Sequence, residues 1–175
     1  IVIPDGENYV RLSEHAFAGT SGVKSLYIGK NTGIEHPSYW GSTFDLTSLE
    51  SITVSPEHES LSSEGNCLVY RYVSAADGTT QLATVYLGCK NSVIPNDVSY
   101  INNGAFKGCV GLKSITLPAG LKEIDRYAFA GCTGLTQITI PSSVYFIWQY
   151  AFEGCTALEK VNMPSGTWYA ANSNH

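Results

Sequence analysis

Apolar positions recur every 23 residues through the C-terminal half of the chain. Ile101, Ile124 and Ile147 share one register, and Ala105, Ala128 and Ala151 follow, each immediately before Phe106, Phe129 or Phe152. Leu112, Leu135 and Leu158 come next, then Ile115, Ile138 and Val161, then Leu117, Ile140 and Met163. Gly108, Gly131 and Gly154, Cys109, Cys132 and Cys155, and Pro118, Pro141 and Pro164 keep the same interval. A fixed period of this length marks a stacked repeat. Within each unit the L-x-x-I-x-L-P stretch alternates apolar and polar residues, which predicts a short strand with one buried face. A single unit cannot bury that face alone. Units stacked edge to edge give each strand a parallel neighbour at about 4.8 Å and merge the apolar sides. The closing proline then sits where a missing N–H costs little. The A-F-x-G-C stretch predicts a ring filling the coil centre and a tight turn, with Gly in a conformation that a β-carbon would oppose.

The N-terminal part follows the pattern loosely. Ala16, Phe17, Gly19, Val23, Leu26 and Ile28 match it, with Thr20 at the cysteine position, and Leu49, Ile52 and Val54 form another strand signature. The residues of 33–44 stretch that copy, and Ile1, Ile3 and Pro4 read as the strand of a preceding unit, so the segment is expected to be excised from a longer array. About six strands and one continuous core are expected. The period fails between 56 and 97. There Cys67–Val73 and Gln81–Leu87 are β-rich and flank Asp77-Gly78, a turn signal. This predicts a hairpin inserted between coils, either an elaborated repeat or a projecting partner-binding element. The expected organisation is one solenoid over 1–175, with irregular repeats at 1–56, the insertion at 57–97, three regular repeats at 98–164 and a tail at 165–175.

The unit I-x-x-x-AF-x-GC-x-x-L-x-x-I-x-I-P resembles the BspA-like class of leucine-rich repeats, tightly over 98–164 and loosely over 1–56. The resemblance implies a leucine-rich-repeat solenoid, a right-handed β/α-type superhelix. Its concave side would carry a parallel sheet and its convex side short helical or irregular turns. It further implies a bacterial protein, extracellular or on the cell surface, that adheres to host matrix or other extracellular proteins. The motif residues are structural, so the resemblance transfers no binding residue.

Charge narrows the partners. Charged residues are 14% of the chain, the net charge is −5, and the ten Lys and Arg are scattered singly. Duplex nucleic acid and anionic membranes need a clustered basic face, which disfavours both. No apolar run is long enough to span a bilayer. Chemistry is sparse. Five cysteines leave at least one unpaired. Cys109, Cys132 and Cys155 should stack as small buried hydrophobes, while Cys67 and Cys89, flanking the hairpin, are close enough in prospect for a bridge. His15, His36, His58 and His175 lie apart, and Glu57-His58-Glu59 reads as a solvated charge run, so no metal site and no cofactor are expected. Ser appears in no nucleophile elbow. Glu123 and Asp125 are expected on a turn with no groove, which leaves no catalytic centre.

Two surfaces carry recognition potential. The outward residues of the repeat strands form a small, polar, nearly uncharged face: Tyr27, Thr53, Thr116, Gln137, Thr139, Lys160 and Asn162. Aromatic residues break the pattern at Tyr145, Phe146, Trp148 and Tyr150, where the preceding unit has Lys122, Glu123, Asp125 and Tyr127, and again at Tyr39 and Trp40. Such rings either bury against a following repeat or stack on a partner. The expectation is a monomeric, non-enzymatic binding module for extracellular proteins. A glycan-binding module using the aromatic patches and a passive structural spacer are the alternatives.

Overall fold

The computed structural model describes residues 1–13, 15–17, 19–35, 44, 46–74, 76, 78–164 and 168–169. Strands supply its regular structure, and among the described residues there is no helix. The short helical turns expected on the convex side are hydrogen-bonded turns instead. The reason lies in A-F-x-G-C: two residues per turn adopt positive φ, which interrupts any helical run. They are the glycine itself (Gly108 70°, Gly131 71°, Gly154 67°) and the residue before Ala-Phe (Gly104 64°, Tyr127 53°, Tyr150 61°).

In the N-terminal region lie β1 (Val2–Ile3), β2 (Val10–Leu12), β3 (Ser25–Ile28), β4 (Thr32–Ile34) and β5 (Ser51–Val54). The period-breaking region holds β6 (Leu61–Glu64), β7 (Cys67–Val73) and β8 (Thr80–Leu87). The regular repeats contribute β9 (Tyr100–Ile101), β10 (Glu123–Ile124), β11 (Gln137–Thr139), β12 (Phe146–Ile147) and β13 (Lys160–Asn162), and the segment expected to be a tail adds β14 (Trp168–Tyr169). The I-x-L strands pair in parallel where they form, β1-β3-β5 in one sheet and β11-β13 in another, but the strand expected at 115–117 does not form. The coils also carry a second strand, centred on the apolar residue four places before Ala-Phe. It builds β2-β4 in the N-terminal part and the parallel run β9-β10-β12-β14 in the regular part. A single concave sheet is therefore replaced by parallel strands in two columns.

A third line of bonds joins the turns. Phe106 N–H donates to Ala128 O at 2.7 Å and Phe129 N–H to Ala151 O at 2.8 Å. Gly108 and Gly131 N–H donate to Ala130 and Glu153 O at 2.7 Å each. The rings stack inside this line, Phe106 on Phe129 at 5.0 Å and Phe129 on Phe152 at 5.3 Å between centroids. Beside them the Cys132 and Cys155 thiols each donate to the carbonyl of the preceding coil's Phe at 3.1 Å. The column ends at Gly88, whose N–H donates to Ala105 O at 2.8 Å and whose added Cβ would lie 1.9 Å from the Phe106 ring.

The insertion does not project. It is an antiparallel meander, β6-β7-β8, whose last strand pairs in parallel with β9 (Thr84 with Tyr100, Val85 with Ile101). The result is one seven-stranded sheet in the order β14-β12-β10-β9-β8-β7-β6. The meander also divides the interior, so the single core expected from sequence becomes two. Cys67, Val69, Ala83 and Val85 face a core with Ile101, Phe106, Ile124 and Phe129. Leu68 and Leu87 face a second one with Leu26, Ile28, Phe44, Leu49 and Ile52. Arg71 pins the meander from the side through Glu64 (2.6 Å) and Asp97 (2.9 Å). All five cysteines are free thiols, so the bridge contemplated for Cys67 and Cys89 is absent. Asn66 Nδ2 instead donates to Cys89 Sγ at 3.0 Å.

Candidate functional site

Ile101 and Ile124 point into the core, so the residues on either side of them point the opposite way. Register lines up these outward residues across the seven-stranded sheet. One row runs Tyr70, Thr84, Tyr100, Glu123, Phe146. The next, one residue beyond the core positions Val85, Ile101, Ile124 and Ile147, holds Tyr86, Asn102, Asp125 and Trp148. Because β7 carries tyrosine at alternate places and β8 and β9 add one each, four rings (Tyr70, Tyr72, Tyr86 and Tyr100) converge with Glu123 and Asp125 around an open cleft of about 440 Å³. Tyr86 is buried and stacks on Tyr70 at 5.5 Å, whereas Tyr72 is 53% exposed at the rim. Thr84 lies buried beneath, and among the described residues no lysine or arginine lines the cleft.

Glu123 organises one end. The Tyr145 hydroxyl donates to its Oε1 at 2.9 Å and the Trp148 indole N–H to its Oε2 at 3.2 Å. Both donors are neutral, so they fix the carboxyl group without bringing a charge that offsets it. Phe146 packs against Trp148 at 4.4 Å, and the Arg126 guanidinium lies over the indole at 5.1 Å. Burial raises the Asp125 carboxyl above its ordinary range, although its Oδ1 accepts the Arg126 backbone N–H at 2.6 Å. Burial pushes the Tyr86 phenol up to about 12, and the bond to Glu123 raises that of Tyr145. None of these hydroxyls is poised to ionise near neutrality.

The predicted surface residues separate into several places. Tyr145 and Trp148 meet at Glu123. Tyr150 stands apart and stacks on Tyr127 at 5.1 Å, both rings carried by positive-φ residues. Tyr27 and Thr53 are register partners on β3 and β5, with the Tyr27 hydroxyl donating to Asp5. Thr116, Gln137 and Thr139 line a second open groove of about 470 Å³. Lys160 and Asn162 follow on β13, where Asn162 Nδ2 donates to Thr139 Oγ1 at 3.1 Å. Tyr39 and Trp40 lie outside the described residues, as do His36, Asp77 and His175.

Glu123 and Asp125 correct the sequence expectation: they flank Ile124 on the outer face, and they do border a groove. The tyrosines of β7 to β9 were missed. Their signal was present in the alternation Tyr70-x-Tyr72 and in the polar neighbours of each fixed isoleucine, which mark a second strand per coil. Glu57-His58-Glu59 is not a free charge run either. His58 Nε2 donates to Thr32 O at 2.8 Å while its Nδ1 accepts the Ser60 and Leu61 N–H groups. Among the described residues no group of His, Cys, Asp and Glu could hold a metal ion.

Comparison with known proteins places these coils among other arrays. A leucine-rich cell surface protein from Faecalibacterium prausnitzii has 21% identity and a TM-score of 0.53, with 94% of this chain and 52% of that one covered. A leucine-rich repeat protein from Bacteroides ovatus has 21% identity and a TM-score of 0.53 (97% and 46% covered). One from Eubacterium ventriosum has 17% identity and a TM-score of 0.52 (89% and 52% covered). The chain thus spans about half the length of the solved structures it matches, and at these identities the likeness shows the fold. No curated protein matches it. No helix among the described residues is long and apolar enough to cross a membrane. The family model described as BspA type leucine rich repeat region matches residues 85–173 in six copies. With that match across half its length and with these stacked coils, the chain belongs to the BspA-type leucine-rich repeat family.

Proposed function

We propose that this chain is a non-catalytic, monomeric binding module, displayed outside the cell, and that it adheres to extracellular proteins through the outer face of its seven-stranded sheet. The observation that carries the reading is the open cleft where Tyr70, Tyr72, Tyr86 and Tyr100 meet two carboxylates. Tyrosine supplies a large, rigid contact area at low entropic cost and dominates recognition surfaces. The description of the Faecalibacterium relative as a cell surface protein agrees with display outside the cell. Catalysis has little to stand on here. Glu123 and Asp125 flank Ile124 on one side of the chain, whereas glycoside hydrolysis needs acids on both sides of the scissile bond. Immobilised extracellular-matrix proteins should bind the chain saturably in a surface-resonance assay, and Tyr72→Ala with Tyr100→Ala should weaken that binding at least about tenfold, the loss expected for removing recognition anchors. Saturable binding that both variants retain would refute this placement of the surface.

A glycan-binding reading draws on the Phe146–Trp148 pair and the exposed Tyr145 ring, since aromatic faces also accept sugar rings. Sugar binding on a glycan array that disappears in Trp148→Ala would favour it. Absence of any saturable partner would leave the spacer role.

A further inference from the structure

Resting on the reading of the tyrosine face as the binding surface, we propose that the cleft accepts a lysine or arginine side chain presented by the partner protein. The cleft joins two features that a cation satisfies together. Tyrosine rings offer the negative face of their π-systems to a positive group. Glu123 on β10 and Asp125 just beyond its end add two carboxylates at one end, on one side of the chain and two residues apart, about 7 Å along it. Among the described residues no lysine or arginine lines the cleft itself, although Arg126, beside it, attracts the Asp125 carboxylate.

The state of Glu123 supports this. Each of its oxygens already accepts one bond from a neutral donor, Tyr145 or Trp148. A carboxylate has about four acceptor positions, so a fixed, charged acceptor remains for an incoming ammonium or guanidinium. The same end of the face already holds a cation within the chain, the Arg126 guanidinium over Trp148. The net charge of −5 would draw a basic partner toward the surface. Anionic ligands meet like charge at Glu123. Sugar hydroxyls can donate to the carboxylates but bring no positive charge to offset theirs.

The test uses the full chain with uniform nitrogen-15 labelling and three probes. These are a Gly-Ser peptide bearing spaced lysines, the same peptide with every lysine Nε-acetylated, and a neutral glucose oligosaccharide. The lysine peptide should shift the backbone amides of Tyr70, Tyr72, Tyr100, Glu123 and Asp125. Its affinity should fall about tenfold or more on acetylation, and by a similar factor in Glu123→Gln and in Asp125→Asn, since each step removes a charge-assisted contact. The thermal midpoint of each variant reports whether the fold is retained, and the acetylation arm needs no variant at all. Equal binding of the charged and acetylated peptides would overturn the cation inference while leaving the tyrosine face as a protein-binding surface. Shifts produced by the oligosaccharide alone would overturn it in favour of the glycan reading. No shift at the cleft with any probe would overturn it as well; matrix-protein binding that still depended on Tyr72 and Tyr100 would then show that the broader reading survives.

Discussion

Single residues in the repeat are chosen for backbone reach and for size. The cysteine position shows this. Cys132 and Cys155 fill a slot beside the Phe stack and bond the carbonyl of the preceding coil, whereas Thr20, at the equivalent place, bonds Phe17 O of its own coil at 2.5 Å. Both side chains are small and carry one donor, so the slot selects for those properties and not for redox chemistry. Burial raises the thiols of Cys67, to about 11, Cys109, to about 12, and Cys132 further still, and it raises Cys155 less. Thiolate is the reactive form. In the folded protein at pH 8, a chromogenic disulfide reagent should therefore react first with Cys155, the most accessible of the five, and far more slowly with Cys109 and Cys132. Denaturant should release all five at once. Rapid modification of Cys132 in the native state would contradict its placement in the core.

At the scale of elements, stability comes from each coil's contact with the next. Phe129 is fully buried and has a ring on either side. Phe129→Ala should cost about 3–5 kcal/mol in denaturant unfolding, the usual range for emptying a buried aromatic site. A loss below about 1 kcal/mol would be incompatible with a stacked interior. This layer of the structure was legible in the sequence, because a 23-residue period fixes which residues stack on which. The second strand of each coil was harder to read. Strands of two residues, such as Glu123–Ile124, are too short to show alternation, and their pairing depends entirely on neighbours 23 residues away. The cleft was hidden for the same reason. Three of its four tyrosines come from the one region without the period, and only the pairing of β8 with β9 brings them into line with Tyr100 and Glu123.

Across the whole molecule the meander acts as a shared wall, and ties at its margin hold the two parts together. Glu50 Oε1 accepts Lys90 at 2.7 Å and Lys24 at 3.2 Å, joining a residue that follows the meander to one from the first coils. The bonds from Lys90 and then Lys24 hold the Glu50 carboxyl below its ordinary value of 4.5. A folded-state value below the unfolded one gives stability that is present above pH 4.5 and lost as pH falls through the folded value. The advantage of the parent chain over Glu50→Gln in thermal midpoint should therefore shrink as pH drops from neutrality to below 4, and added salt should reduce it at neutral pH because both lysines are solvated. Asp125 works in the opposite sense. Its raised folded value means that ionisation opposes folding, so stability tied to its proton is lost as pH rises from 3.8 through the folded value.

Gly88 sets a direction on the whole array. A side chain there would occupy the volume of the Phe106 ring, so the aromatic column has a closed end at the meander. Extra 23-residue units stacked on the far end of this column would each lengthen the outer face by one place in both rows without disturbing the wall. Reach would then be adjustable by copy number, while the tyrosine cleft stayed fixed at the anchored end like the zero mark of a scale.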